Sequence, residues 1–269
     1  MPPVVIDFAK LAEIGIKGIR RAAVFMGLGL NAANNPDFRN YQLSTIQNLP
    51  ATALRMELIP SNVNNDTLAH FKTEFATWVI GNALREMIER FAIFLDNVHY
   101  TCQLVACSKN QLEAVEATER DKEFRFKGVA FKLRNLEARF SIKPNYPAFI
   151  NSINQARNCL THRTGRVGAE DCNVDQGLEV KWVGMDFQVE LKSGTVMPYA
   201  EIIGVPLPED GVFQVKFVER SKLFPTGGSV YFQMHELAEI SNFMLTSITA
   251  VTDSALKYAK SLGIAIQTV

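Results

Sequence analysis

The chain has 269 residues, with 28 Lys plus Arg balanced by 28 Asp plus Glu and a hydrophobic share of 47%. That length supports one large core or two small ones. The charge balance excludes a surface that is cationic throughout, so an acidic partner such as RNA has to be gripped by a local patch.

The cysteines, Cys102, Cys107, Cys159 and Cys172, contain no C-x-x-C pair. That argues against a zinc knuckle, and neither metal nor cofactor is expected. No signal peptide is evident, and the apolar stretch 22–32 is too short to cross a bilayer. The expectation is a cytoplasmic protein with reduced thiols and no membrane partner. A helix lying in a membrane interface, with Lys17, Arg20 and Arg21 on its polar side, competes with a helix packed on the body. The packed helix is preferred.

In chain order, residues 6–28 suggest a helix that Gly15, Gly18 and Gly27 weaken. Residues 33–66, rich in Asn and Pro, read as a loop with a short helix at 43–49. From 66 to about 106 the apolar residues Leu84, Met87, Phe91, Phe94, Val98, Cys102 and Val105 step by three or four, which predicts a long helix capped by Asp66. Arg85 with Glu89 and Glu86 with Arg90 are spaced as i,i+4 pairs along it. A second long helix is expected over 111–139, with a break near Gly128, and a third over 146–163, stopped by Gly165 and Gly168.

The period then changes to two. Leu178, Val180 and Trp182 alternate with charged residues, and so do Phe187, Val189 and Leu191; Gly184 between them suggests a hairpin. Further strands are expected around Phe213–Phe217 and Val230–Met234, with TGGS at 226–229 as a turn. A last helix carries Leu237, Ile240, Met244, Ile248, Val251, Ala255, Tyr258 and Leu262. The fold class is mainly α: a helical bundle with a small antiparallel sheet of roughly four strands inserted at about 178–234, before the C-terminal helix. The organisation is residues 1–65 as an N-terminal helix and loop and residues 66–269 as the helical domain, interlocked rather than independent.

The densest polar chemistry is ARNCLTHRTGRVG at 156–168. It holds three arginines and one of the four histidines, with no acid between them. Arginine suits bidentate contact with phosphate, and histidine exchanges a proton near neutral pH. Together and without a metal they suit cleavage of a phosphodiester by its neighbouring ribose 2′-OH, which selects RNA.

The stretch Arg157-Asn158-Cys159-Leu160-Thr161-His162 resembles the R-x4-6-H signature of HEPN domains, helical-bundle proteins of RNases, toxins and antiviral defence systems. Asn158, just after the Arg, fits that family's habit. The resemblance implies a bundle, a metal-independent endoribonuclease and often a homodimer that joins two motifs. Arg157 would contact phosphate and His162 would be the general acid/base. Asn158 would orient one of them or contact substrate, and Arg163 and Arg166 would bind substrate. RNA or a nucleotide, a second copy, and an antitoxin or defence partner are the implied partners.

Two other readings stay open. One is a non-catalytic module of the same fold that binds nucleotide, RNA or protein. The other is a structural role in which Arg157 pairs with Glu86 or Glu89, His162 caps helix-end carbonyls, and Arg163 and Arg166 favour the helix C-terminus. Asp96, on the same long helix, is a further acid that could face His162. His70, His99 and His235 are scattered, and the Trp182, Phe187, Tyr199 and Tyr231 aromatics are expected in the sheet core rather than as a base-stacking platform.

Overall fold

A computed structural model describes residues 6–35, 64–110 and 112–264. Seven helices and three strands are present among the described residues: α1 (Phe8–Asn34), α2 (Asn65–Ser108), α3 (Ala114–Arg125), α4 (Val129–Phe140), α5 (Pro147–His162), β1 (Gly177–Leu191), β2 (Val196–Pro198), α6 (Tyr199–Ile202), β3 (Gly211–Pro225) and α7 (Met234–Ser261). The short helix expected at 43–49 lies outside the described residues.

α2 is the axis of the molecule, 44 residues long and so about 66 Å at 1.5 Å per residue. Its cap is Asn64, whose side chain accepts from the Thr67 amide at 2.8 Å; Asp66, expected there, sits in the first turn instead. The stripe from Leu84 to Val105 is buried as its spacing predicts. α1, α5 and α7 pack along α2, and their apolar faces share one core with it. α1 approaches closely through its glycines. A Cβ on Gly15 would lie 2.8 Å from Ile248 of α7, and one on Gly18 would lie 2.6 Å from Arg90 of α2. The residues that weaken this helix as a sequence are the ones that let it dock.

Residues 114–140 form two helices, parted before Gly128, which stands at the N-cap of α4. They lie against the C-terminal half of α2. α3 contributes one buried residue, Phe124, and α4 contributes Leu133, Leu136 and Phe140.

The sheet has the order β2-β1-β3, all antiparallel. It corrects the expected hairpin. β1 runs unbroken through Gly184 and pairs with β3 over its whole length, from Gly177↔Pro225 to Leu191↔Gly211. Gly184 is a close approach rather than a turn: a Cβ there would meet Glu239 Oε1 of α7 at 2.5 Å. What looks like two strands is one strand whose apolar side changes. Leu178, Val180 and Trp182 are buried toward the helices, whereas beyond Val183 the apolar residues are the odd-numbered ones, on the other side. The expected strand at 230–234 is absent: Val230 and Phe232 are buried in an extended lead into α7, which starts at Met234.

Candidate functional site

α5 positions the motif. Pro147 opens the helix, where a missing N–H costs nothing. Ile150, Ile153, Ala156 and Leu160 are buried along its inner face. Leu160 lies against Gly81 of α2, and Arg157 faces Arg85 and Glu89, so α5 runs antiparallel to α2. Ser152 ties the other end to the sheet, accepting from the Lys181 amide at 2.9 Å along the free edge of β1.

Arg157 and Asn158 are half-buried on α5, Arg157 beside Arg85 and Glu89 of α2. The Arg157 Nε is enclosed with no hydrogen-bond partner, and so are the Oδ1 atoms of Asn151 and Asn154 on preceding turns. Burial lowers the Arg157 pKa, the Glu89 carboxylate opposes that, and the Arg85 guanidinium adds to it. The acids offered to Arg157 by the structural reading are engaged elsewhere. Glu86 meets Arg21 at 3.2 Å and Arg90 at 3.4 Å, and Glu89 meets Arg85 at 3.6 Å. Asp96 is likewise taken, by the buried Lys132 at 2.7 Å.

His162 is the last residue of α5, exposed and with no hydrogen-bond or ion-pair partner among the described residues. Five residues on from Arg157, it stands about 140° around an ideal helix from it, while Asn158 is about 40° away. Arg157 and His162 of one chain therefore leave the helix on different sides.

Arg163 has a partner that the sequence reading missed. Its guanidinium makes a two-pronged bond to Asp171, with Nε donating to Oδ2 at 2.6 Å and Nη2 donating to Oδ1, and it lies 3.5 Å from Glu170. Asp171 is 3% exposed and also accepts from the Gly168 amide at 2.9 Å. Burial opposes its charge, but Arg163 and the Gly168 N–H outweigh that and hold its carboxyl below the usual range. The intervening loop turns at Thr164 and Gly165, both at positive φ, and then pairs with the stretch after β3: Val167 N donates to Gly228 O, Gly227 N to Val167 O, and Val230 N to Gly165 O. Arg166 takes part through its backbone opposite Ser229, and its side chain is exposed. The arginine-rich tail of the motif is thus a clasp between α5 and the segment entering α7. The signal for it was present in the sequence as Glu170 and Asp171, two acids just past the arginines.

A second buried polar cluster joins α2 to α3. His99 is 1% exposed, stacked on Phe124 with ring centroids 3.9 Å apart. Its Nδ1 is 3.3 Å from Asp121 and its Nε2 is 3.2 Å from the Gln103 amide nitrogen. Both ring nitrogens are therefore engaged, Nδ1 by the Asp121 carboxylate and Nε2 by the Gln103 amide. Burial lowers the His99 pKa, against the pull of Asp121. Among the described residues no three His, Cys, Asp or Glu side chains come together to hold a metal ion, and no helix is long and apolar enough to cross a membrane.

No protein-family model matches the chain, and neither a curated protein nor a solved structure matches it.

Proposed function

We propose that the chain is a non-catalytic protein-interaction module of regulatory type, built as a helical body that presents a two-stranded ribbon. One observation carries this reading. One face of the far half of the β1–β3 ribbon exposes an apolar surface, with Phe213 53%, Val215 42% and Phe217 67% exposed beside Phe187. Open apolar area on that scale marks a docking surface. The engagement of Arg163 with Asp171 adds support, because it removes one cation from the set that would grip a phosphate backbone.

The resemblance of Arg157–His162 to the HEPN signature carries a second reading, a metal-independent endoribonuclease. It is favoured by the exposed His162, without a partner among the described residues, with Asn158 on nearly the same side. Since Arg157 and His162 of one chain diverge, this reading needs a second chain to complete the site.

The two readings part in an RNA-cleavage assay in excess EDTA, using wild type and His162→Ala matched for helicity. The interaction reading expects no cleavage by either across a broad RNA panel. Cleavage by wild type that His162→Ala abolishes, leaving 2′,3′-cyclic phosphate ends, would establish the ribonuclease and overturn the module.

A further inference from the structure

Among the described residues the outer edge of β3 has no strand beside it. In the β2-β1-β3 order it is an edge strand, and its ladder with β1 has no bulge. The hydrogen-bond phase follows from the ladder's two ends. Lys192 N donates to Asp210 O at 2.9 Å, and Thr226 N to Gln176 O at 3.4 Å. In an antiparallel ladder such pairs alternate. The even-numbered residues of β3 therefore bond to β1, and the odd-numbered ones, Phe213, Val215, Phe217 and Glu219, turn their N–H and C=O groups outward. Three of those odd-numbered residues, Phe213, Val215 and Phe217, bear exposed apolar side chains. Such an edge is a template for another strand.

We infer that β3 pairs antiparallel with β3 of a second copy about a twofold axis at Val215, joining two sheets into one with the order β2-β1-β3-β3′-β1′-β2′. This names the partner of the interaction surface proposed above and rests on that reading. A twofold axis perpendicular to the sheet keeps each face on its own side, so a residue meets one of the same parity. Centred on Val215, Phe213 faces Phe217 of the second copy, Val215 faces itself, and Val212 faces Val218. Gln214 then faces Lys216, and Asp210, which meets Lys192 in its own chain, stands opposite Arg220, which meets Asp186 and Glu239 in its own, so opposite charges face each other across the axis.

The registers displaced toward the C-terminal end of β3 lose this fit. An axis at Lys216 sets that lysine against itself, and one at Val218 sets Lys216 against Arg220. An axis at Glu219 opposes two carboxylates, and one at Phe217 puts Val215 against Glu219. Among the axes from Val215 to Glu219, charge and apolar matching together favour the one at Val215.

The test is sedimentation equilibrium of the full chain across a concentration series, with circular dichroism as the control for folding. Wild type is expected at twice the chain mass. Val215→Pro removes the central N–H and Val215→Asp puts two carboxylates across the axis; both are expected at the chain mass with unchanged helicity. Val215→Cys is expected to form a 215–215 disulfide under mild oxidation, identified by peptide mapping, since paired Cα atoms in such a ladder are about 5.5 Å apart. Monomeric wild type overturns the pairing, and so does a dimer that Val215→Asp leaves intact. Neither outcome touches the interaction reading, which falls only if His162-dependent RNA cleavage appears.

Discussion

Arg163 shows how a residue's meaning depends on what lies opposite. In sequence it belongs with Arg157 and Arg166 as a cation for substrate; in the fold it neutralises an almost fully buried carboxylate. Arg163→Ala leaves Asp171 enclosed and uncompensated. The melting temperature is expected to fall by several degrees at pH 7, and Asp171→Asn in the same chain should restore part of it. Because the folded pKa of Asp171 lies below its usual value, its stabilisation is present above about pH 4 and is lost as pH falls further.

His99 has the opposite charge logic. Its folded pKa lies below the ordinary 6.5, so the unfolded chain takes up a proton first. Its stabilisation is complete above that pH and declines as pH falls through it. The groups that face it are Asp121 and Arg125 of α3 and Arg139 of α4. Urea unfolding between pH 7.5 and 5 is expected to show this loss in wild type and a flatter profile in His99→Leu. A larger loss of α3 than of the whole helix signal would follow, since α3 is anchored by Phe124 and the Asp121–His99 contact.

At the scale of elements, Gly184 separates two readings of one sequence. In a hairpin turn it would be replaceable by Asn with little effect, and in an isolated strand Val would be favourable. Here the strand passes against Glu239, which also accepts from Trp182 Nε1 at 2.8 Å and lies 3.5 Å from Arg220. Gly184→Val is expected to destabilise by roughly 1–3 kcal/mol, as overpacking does, with a change in tryptophan fluorescence as Trp182 loses its partner. The hairpin expectation failed for a specific reason. Alternation of period two reports which side of a strand is apolar, and a change of side was read as a change of strand. Only pairing with β3, whose residues lie some thirty to forty positions away, keeps the ladder continuous across it. α2 and α7 were legible because their stripes of Leu, Met, Phe and Ile hold one period over many turns.

For the molecule as a whole, the helical core and the far ribbon are expected to be separable in energy. Leu178, Val180, Trp182 and Phe224 belong to the core, whereas Phe187, Phe213, Val215 and Phe217 do not. Removing residues 187–215 and joining Asp186 to Lys216 through Asn-Gly closes a tight hairpin on a hydrogen-bonded pair. The shortened chain is expected to unfold cooperatively near the wild-type temperature by calorimetry and to sediment as a monomer.

The sequence by itself determined the long helices, the position of the sheet before the last of them, and the inward faces, because periodicity is a local property of side-chain spacing; the one-turn α6 (Tyr199–Ile202) is too short to show a period and reads as loop. It also located the polar cluster at 156–168. Tertiary structure alone decided what that cluster does: that Arg163 meets Asp171, that Arg157 faces Arg85 and Glu89, that His162 stays open. It also decided that the aromatics expected in the sheet core divide, with Trp182 buried and Phe187, Tyr199 and Tyr231 exposed. Charge pairing and burial are set by which surfaces the chain brings together, and residues distant in sequence carry no mark of one another until it folds.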